Sequence, residues 1–576
     1  MCTSYDAIAP RPSRRAAFMT AQASAYTHLT FAALVREVRN LAASYPHLAV
    51  AWTAQERYGL ATAGQCGRTA CEVWVLELTH RASLERHPER PDVLVSGALH
   101  GDERVGPLVT LELARWLLHR YDTDPWARRL VHTRRLLLVP AANANGYYMR
   151  SRFEVDHDPN RDFPFQQEPR ACMTTVAARA LNEVFRAHLV QLALTYHAGM
   201  EAVGYVWGDF AHRRDRAAAN RSPDEIGISA LARAAVRCAG AGPRGRFYPA
   251  AAMNSIVYPV AGGMEDWAYA ASWEPHHVRA CEPRTHGGYD AVRTRQYANA
   301  SARAVVLLIE TSDEKSPPAS SMHGQPASSL STDAWPTVEL AQPAGAASTR
   351  LPNGFVARNV RLALASIDLA RPFVQLDSDD AAVDSGGCLR VRWRVWGAVR
   401  VDATAVVWRE VQSGEWQPVA DSHEQSGPAV WAETGGASAP SWPLSHDRGV
   451  FTACVRLPPA AATSDSAPPP RRSVLIAAAA TVDQSWGRPS PQPVTPRSAG
   501  PQSHLVRART DPSWHQRANG REVRGQTRWL SDVAIEVECE ADGSLAPGAM
   551  PRTRSLTPDG GVRGGGWART TRRRGH

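Results

Sequence analysis

Two histidines and one glutamate have the spacing of a metal site. His100 and Glu103 follow the apolar run at 92–99 where the chain turns into a helical pattern, and His197 ends a second apolar run at 190–196. Ligands of open α/β sheets bind at the carboxyl ends of the strands, so neighbouring strands would join these side chains in a His2Glu set. Such a set binds zinc and leaves one position open for water, as in catalytic sites. Each residue alone has an ordinary explanation, because HxxE pairs arise by chance and histidines at strand ends are commonly hydrogen-bonded.

A polar loop carries amide and guanidinium groups suited to a carboxylate ligand. The loop, NANGYYMRSRFEVDHDPNRDFP at 143–164, places Asn160 and Arg161 side by side. An arginine fork can bind a carboxylate through two parallel hydrogen bonds. Arg150 and Arg152 lie upstream, and either could polarise a substrate carbonyl, with Arg152 favoured. The plain alternative for this loop is a solvated charged surface.

Glu310 is the best candidate for a general base. It ends the strongly apolar run at 303–310, and a carboxylate that closes a buried strand is costly unless it is paired or functional. Tyr269 lies in a segment rich in glycine and aromatic residues, SIVYPVAGGMEDWAYAASWE at 255–274. Together with a metal site, a buried carboxylate suits the activation of water for hydrolysis.

Short apolar runs alternate with helical patterns through the first half of the chain. The predicted strands lie at 71–79, 92–99, 134–141, 190–196 and 303–310, and the predicted helices at 104–120, 173–188 and 223–239. Near-continuous apolar strands separated by helices favour a mostly parallel sheet covered by helices on both faces. The predicted fold class is therefore α/β with a mixed, mostly parallel central sheet, over a domain of residues 31–315.

The composition changes after this domain. Residues 316–350 are rich in Pro, Ser and Ala and are predicted to form a linker. Residues 351–545 show alternating strand patterns, clearest at 388–411, which favours an all-β, sandwich-like accessory domain. The two ends are predicted to be a flexible segment at 1–30 and a disordered Arg/Gly-rich tail at 546–576.

Five elements in this order resemble the zinc metallocarboxypeptidases, the family typified by pancreatic carboxypeptidase A. They are the HxxE turn, the Asn-Arg loop, a histidine at a strand end, a DWxY turn and a glutamate at a strand end, and they span residues from about 35 to 315. The stretches DPNRDFP and GGMEDWAY are most similar to those of protist and algal members. The resemblance implies the carboxypeptidase fold and hydrolysis of the C-terminal bond of peptides or proteins.

The resemblance also implies which residues bind zinc and substrate. One zinc ion per chain would be held by His100, Glu103 and His197. The C-terminal carboxylate of the substrate would be held by Asn160 and Arg161.

Three further roles follow from the same resemblance. Arg152 would polarise the scissile carbonyl and stabilise the oxyanion. Tyr269 would close over the substrate. Glu310 would activate water and pass its proton to the leaving amine.

Net charge gives little support for a nucleic-acid partner. The chain carries +9, but residues 551–576 hold +6 and residues 1–30 hold +2, so the rest is nearly neutral. Lys315 is the only lysine among 65 basic residues, which indicates a coding bias rather than selection for phosphate contacts. No run approaches the roughly 18 apolar residues of a membrane span. We therefore expect no specific nucleic-acid partner and no transmembrane segment, while the oligomeric state stays open.

The cysteines bear on the compartment. Cys66 and Cys71 are close enough to staple a hairpin loop, or they are two free thiols, and Cys388 and Cys454 could bridge two strands of the later domain. A disulfide would point to an oxidising compartment. Secretion or the secretory pathway is thus slightly favoured, although no signal peptide is visible.

The substrate pocket is less well determined. Asp209 and Glu265 make a preference for basic C-terminal residues conceivable, but neither can be assigned to the pocket floor. The segment after the DWAY turn holds His276, His277 and Cys281 near the expected cleft. It is a lid, a pocket wall or a surface excursion, and the last of these is favoured.

Two other functions compete with peptide cleavage. The same fold could act on small amino-acid conjugates or cell-wall peptides. Alternatively, the chain could be a catalytically inactive peptide-binding scaffold. The joint presence of Glu310, Arg161 and Tyr269 argues against a scaffold, and the Asn160/Arg161 pair favours peptides as substrates.

Overall fold

The structure is a computed structural model, in which the chain forms two compact units. One unit comprises residues 1–370 and 484–525, and the other comprises residues 371–483 and 526–576. The residues described are 26–86, 90–188, 190–213, 222, 225–242, 244–271, 274–279, 281–282, 289, 304–323, 353–369, 372–377, 382–383, 389–397, 403–411, 417–418, 450–455, 457, 471–483, 526–530, 533–540, 544–546 and 551–555.

The helices of the first unit begin, in several cases, at a residue that caps the first turn. Thr30, Asp124 and Thr175 each accept hydrogen bonds from the backbone N–H groups that follow. In chain order the helices are α1 (Phe31–Ser44), α2 (Ala54–Tyr58), α3 (Arg81–Arg86), α4 (Val105–Arg120), α5 (Pro125–Thr133), α6 (Ala144–Met149), α7 (Val176–Ala187), α8 (Glu225–Ala239), α9 (Met253–Ile256), α10 (Met264–Ala270), α11 (Ala319–His323) and α12 (Phe355–Leu369).

The strands of the first unit form one large sheet and a small hairpin. They are β1 (Ala49–Thr53), β2 (Gln65–Cys66), β3 (Thr69–Ala70), β4 (Trp74–Leu78), β5 (Asp92–Gly97), β6 (Arg135–Val139), β7 (Val190–His197), β8 (Met200–Tyr205), β9 (Ala250–Ala252) and β10 (Val305–Ser312). The large sheet has the order β1-β4-β6-β5-β7-β10-β8-β9, and β2 pairs with β3.

The central strands of the large sheet are parallel, as the sequence predicts. β6, β5, β7 and β10 are parallel neighbours, β8 pairs parallel with β9, and the remaining pairings are antiparallel. All residues of β5, β6, β7 and β10 are buried, which explains their near-continuous apolar sequences. The predicted α/β class with a mixed, mostly parallel sheet is confirmed.

A buried ion pair joins the beginnings of two parallel strands. Asp92 begins β5 and Arg135 begins β6, and the two side chains meet through two hydrogen bonds of 2.6 Å each. His188 Nδ1 lies 3.5 Å from the same carboxylate. The pair therefore fixes these strands at the end of the sheet opposite to their carboxyl ends.

The first unit extends further along the chain than the sequence indicates. The sequence assigns residues 355–369 to the all-β accessory domain at 351–545, but they form helix α12, which belongs to the first unit and packs against α4, α8 and α11. Arg358 of α12 is buried and donates to Glu201 at 3.1 Å, with its guanidinium 3.9 Å from the ring centre of Tyr248. Helix α11 lies within the predicted linker at 316–350, whose residues 324–350 are outside the described part.

The second unit is all-β, as expected. Its strands are β11 (Pro372–Leu376), β12 (Ala382–Val383), β13 (Leu389–Gly397), β14 (Ala403–Glu410), β15 (Gln417–Pro418), β16 (Val450–Val455), β17 (Arg472–Asp483), β18 (Gln526–Leu530), β19 (Val533–Cys539) and β20 (Arg552–Ser555). They form two antiparallel sheets, one of β11, β12, β13 and β16 and one of the other six strands. β11 contacts β17, β18 and β19 of the other sheet.

Both predicted flexible ends contain ordered contacts. Within the predicted segment 1–30, His28 hydrogen-bonds the Pro317 carbonyl and the Leu29 carbonyl accepts from Arg104. Within the predicted tail 546–576, β20 pairs with β19. Residues 1–25 and 556–576 lie outside the described residues.

Two disulfides occur among the described cysteines. Cys66 and Cys71 close the β2–β3 hairpin as one of the two expected alternatives, and Cys172 pairs with Cys281, a link that the sequence did not indicate. Cys388 lies outside the described residues, so the expected Cys388–Cys454 bridge stays a prediction. None of the described helices is long and apolar enough to cross a membrane.

Candidate metal centre and catalytic cleft

Three adjacent parallel strands bring the candidate chemistry to one place. β5 pairs with β7, with Gly97 opposite Tyr196, and β7 pairs with β10, with His197 opposite Glu310. The turn that carries His100 and Glu103 directly follows β5. Residues far apart in the chain thus meet because the carboxyl ends of these strands share one edge of the sheet.

A glycine in the turn after β5 is required by a close backbone approach. A Cβ on Gly101 would lie 2.0 Å from the backbone carbon of Gly146 in α6, so no larger residue fits without displacing the chain. The same turn is fixed by Lys315, whose ammonium lies 2.7 Å from Asp102 Oδ2 and 3.6 Å from Glu103 Oε1.

His100, Glu103 and His197 form a compact cluster. His100 Nδ1 lies 3.0 Å from Glu103 Oε1, His197 Nδ1 lies 2.9 Å from Glu103 Oε2, and the two Nδ1 atoms are 3.1 Å apart. The three residues are 4%, 2% and 2% exposed. Burial of three polar groups whose donor atoms face one point is costly unless something is bound between them.

Both histidines are oriented through their far nitrogen. His100 Nε2 lies 3.0 Å from Asp158 Oδ1, and His197 Nε2 lies 3.0 Å from Thr195 Oγ1. A partner of this kind on one ring nitrogen sets the tautomer and leaves the other nitrogen for a metal. Asp158 is not among the residues predicted from the sequence, where its position next to the Pro-Asn-Arg stretch is the only available signal.

The donor set fits zinc. Two imidazole nitrogens and one carboxylate are the protein ligands of His2Glu catalytic zinc sites. Donor atoms on a tetrahedral zinc ion with bonds of about 2.1 Å lie about 3.4 Å apart, slightly farther than the 2.9–3.1 Å separations of the cluster. The sequence prediction of these three ligands is consistent with this geometry.

Of the two candidate arginines, Arg152 reaches the cluster. Its Nη1 lies 3.2 Å from His100 Nδ1 and 3.8 Å from Glu103 Oε1, and its Nε and Nη2 bind Asp158 Oδ2 at 2.9 and 2.8 Å. Arg150 instead ends α6 in the left-handed backbone region, with φ of 56°. Arg152 is therefore a cation beside the cluster, held there by a carboxylate.

Glu310 is a buried carboxylate at the edge of the same cluster. Its residue exposure is 9%, and its Oε2 atom is buried without a hydrogen bond from the described residues. Burial raises the pKa of Glu310 to about 7, with nearby His197 opposing the shift. A carboxylate with a free lone pair and a raised pKa is suited to accept a proton near neutral pH.

Asn160 and Arg161 are adjacent residues near the N-terminus of α10, but only one of their side chains is accessible to a ligand. Asn160 is buried, accepts from the Met264 N–H at 2.9 Å and donates to Glu265 at 3.3 Å, so its amide fastens the start of α10. Arg161 is half-buried and donates to the Asn160 carbonyl at 2.7 Å and to the Tyr258 hydroxyl at 3.4 Å. Arg161 is thus the member of the pair with donors that can turn to a ligand.

The expected role of Tyr269 is not supported by its position. Tyr269 lies inside α10, is 0% exposed and packs against Trp207 with ring centres 5.3 Å apart. It could not close over a substrate without unpacking the core. Tyr258 is 54% exposed and touches Arg161, so it is the tyrosine placed to meet a ligand. Both lie in the segment 255–274, and the sequence pattern did not separate the buried position from the exposed one.

The two acidic residues considered for the substrate pocket are both buried and paired. Asp209 accepts from Gln166 at 3.0 Å and from His212, while Glu265 accepts from Asn160 and lies 3.7 Å from His197 Nε2. Neither presents a free charge at the surface. The preference for basic C-terminal residues stays a prediction.

Comparison with known proteins agrees with this geometry. Residues 54–283 match the family model described as zinc carboxypeptidase. Carboxypeptidase SOL1 of Arabidopsis thaliana is 29% identical over 203 residues, which cover 34% of this chain and 40% of the relative. Carboxypeptidase D of Rattus norvegicus is 27% identical over 218 residues, which cover 34% of this chain and 16% of the relative. The chain therefore spans less than half the length of these relatives.

Solved structures give a weaker likeness. Bovine thrombin-activatable fibrinolysis inhibitor, in complex with tick carboxypeptidase inhibitor, matches 59% of this chain and 95% of its own chain at 13% identity and a TM-score of 0.36. A TM-score of this size does not by itself establish a common fold. The expected closeness to protist and algal members stays a prediction.

Proposed function

Since residues 54–283 match the family model described as zinc carboxypeptidase, we propose that the protein is a zinc-dependent metallocarboxypeptidase that removes single residues from the C-termini of peptides or proteins. The observation that carries this proposal is the convergence of His100, Glu103 and His197 beside the buried carboxylate of Glu310. The family match covers β5 and β7, which position the three ligands, and ends before β10, which carries Glu310.

His100 Nδ1, His197 Nδ1 and the Glu103 carboxylate would hold one zinc ion. When bound, zinc polarises a substrate carbonyl and makes a water molecule more acidic. Asp158 and Thr195 keep the two imidazoles in the orientation that presents Nδ1 to the ion.

Glu310 and Arg152 would act on the reacting groups. The Glu310 Oε2 atom has no hydrogen bond from the described residues, so it can accept a proton from the attacking water and give it to the leaving amine. The Arg152 guanidinium, held by Asp158, can donate to the carbonyl oxygen as negative charge develops on it.

Arg161 and Tyr258 would recognise the end of the substrate. A free C-terminus is a carboxylate, and the Arg161 guanidinium can bind it with two parallel hydrogen bonds. The Tyr258 hydroxyl, 3.4 Å from Arg161 Nη2 on an exposed side chain, can add a further donor. Asn160 would act by holding the backbone of this site in place.

The proposed function is tested with a panel of short peptides that differ in the C-terminal residue, each run beside its C-terminally amidated twin. We expect release of one residue from the free peptides, loss of that release with a zinc chelator, and little release from the amidated twins. Equal release from both twins would contradict recognition of a carboxylate. No release by protein shown to contain zinc would favour small conjugates as substrates or an inactive scaffold.

The two disulfides support an oxidising compartment as the place of action.

A further inference from the structure

A second group of metal-ligand side chains lies in the first unit, outside the cluster described above. His212, Glu274 and His277 each offer a ligand atom, and these atoms lie within 4.8 Å of one another. We call these three residues the distal triad. His212 follows β8, while Glu274 and His277 follow α10, so the distal triad joins two separate loops.

The carboxylate of Asp209 sets the orientation of the His212 ring. Asp209 Oδ2 lies 2.8 Å from His212 Nδ1, and Asp209 Oδ1 accepts from the His212 backbone at 2.8 Å. Asp209 is 1% exposed, and Trp207 stacks on the His212 ring with centres 3.7 Å apart. When Nδ1 donates to this carboxylate, the neutral His212 ring has its lone pair on Nε2, the arrangement common for histidines that bind metals.

That lone pair faces a second acceptor. His212 Nε2 lies 3.1 Å from Glu274 Oε2, an atom that is buried and accepts no hydrogen bond among the described residues. Two acceptors at this distance repel each other unless a proton or a cation lies between them. His277 Nε2 lies 3.7 Å from the same oxygen and offers a third ligand atom at this point.

The loop that carries Glu274 and His277 is fixed in position before any ion binds. Phe165 pairs with Val278 in an isolated bridge, and the Gln166 N–H donates to the His277 carbonyl at 2.7 Å. The Cys172–Cys281 disulfide ties the end of this loop to the same neighbouring segment. The triad side chains are 15–23% exposed, which allows an ion to enter from solvent.

We propose that the distal triad is a second divalent-metal site, suited to zinc or a similar transition metal, that links the loop after β8 to the loop after α10. Two imidazoles and one carboxylate are zinc ligands, with Asp209 as the outer partner of His212. The site is separate from the His100, Glu103 and His197 cluster and does not depend on the proposed peptidase activity.

The test measures zinc per chain in full-length protein after equilibration with zinc and removal of free metal. We expect two ions in the wild type and one in a His100→Ala/Glu103→Gln variant. Adding Glu274→Gln and His277→Ala to that variant is expected to remove the remaining ion. His276→Ala, at the exposed neighbour of His277, is the matched control and is expected to leave it bound.

Asp209→Asn adds a graded readout. It is expected to weaken zinc binding in the His100→Ala/Glu103→Gln background about 10–100-fold, since outer partners of ligands contribute this much. If the His100→Ala/Glu103→Gln protein does not fold, the comparison is made between the wild type and the Glu274→Gln/His277→Ala variant, with two ions expected against one. The proposal is overturned if the protein with an altered first cluster folds but binds no zinc, which would leave His212 as a protonated bridge between two carboxylates. It is equally overturned if the triad substitutions leave the zinc content unchanged.

Discussion

At the scale of single residues, the candidate site depends on partners that orient the reacting groups. Asp158 contacts both His100 Nε2 and the Arg152 guanidinium, so one carboxylate positions a metal ligand and a cation together. Arg152 and Arg150 are chemically identical and two residues apart, and only the contacts separate them. Glu310 differs from Glu103 and Asp158 in having an oxygen without a hydrogen bond among the described residues.

The contacts predict different effects for the two arginines. Arg152→Ala should lower kcat about 100–1000-fold, the range for loss of one donor to a developing oxyanion. Arg150→Ala is the matched control and should change kcat less than twofold, because the cluster contacts are made by Arg152. Steady-state kinetics on a free peptide measures both. A large loss for Arg150→Ala with none for Arg152→Ala would reverse the assignment.

Glu310→Gln should abolish turnover while zinc remains bound. The amide keeps the shape of the side chain but cannot accept the proton, and loss of a general base costs about 100–10,000-fold. Zinc content and kcat should be measured on the same preparation. A Glu310→Gln enzyme with normal kcat would exclude this residue as the base.

In the wild type, activity should fall as pH drops through the pKa of Glu310, which burial raises to about 7 and a bound cation would lower.

At the scale of elements, the parallel pairing of β5, β7 and β10 decides which residues meet. The register places His197 of β7 opposite Glu310 of β10, and the turn after β5 completes the cluster. A shift of one residue in either pairing would move these side chains to the other face of the sheet. Interactions that hold the strands in register therefore support the site from a distance.

Asp92→Asn should destabilise the first unit by about 3–5 kcal/mol, because it leaves the buried Arg135 guanidinium without its counter-charge. Burial alone would raise the pKa of Asp92, but Arg135 holds it well below its usual range. The stabilisation is thus complete above the unfolded pKa of about 3.9 and is lost as pH falls below it. Urea unfolding of both proteins at pH 7 and at lower pH measures this difference. If the difference in free energy of unfolding between the wild type and Asp92→Asn did not become smaller at low pH, the ion-pair explanation would be contradicted.

At the scale of the whole molecule, two compact units and two disulfides organise the described residues. The first unit continues through α12, which packs on α4 and α8. The Cys172–Cys281 link closes a long stretch of chain, with a sequence separation of 109 residues, and such links stabilise by restricting the unfolded chain. It also secures the loop that carries part of the distal triad.

A thiol count tests this arrangement. Two disulfides use four of the nine cysteines, so the denatured, unreduced protein should react as five thiols. It should react as three if Cys388 and Cys454 also pair, as the sequence suggests. Cys238 and Cys539 are buried, so a thiol at either position should react only after denaturation. Nine reactive thiols in protein from an oxidising preparation would contradict both disulfides.

In the first unit, the sequence by itself determined the strands β4, β5, β6, β7 and β10, the helices α4, α7 and α8, and the residues at the strand ends. Apolar runs and helical periods are local signals, and His100, Glu103, His197 and Glu310 lie directly at the ends of such runs. Once the strands are taken as parallel neighbours, the convergence of these side chains follows. This is why the fold class and the metal cluster could be predicted without a structure.

The tertiary structure decided what depends on contacts between distant segments. Tyr258 and Tyr269 lie in one short stretch, and only packing shows that the first is exposed and the second is in the core. The role of Asp158, the position of α12 and the distal triad likewise arise from pairings across many residues. Local patterns report how a segment folds, but they carry no record of which side chains of other segments it will touch.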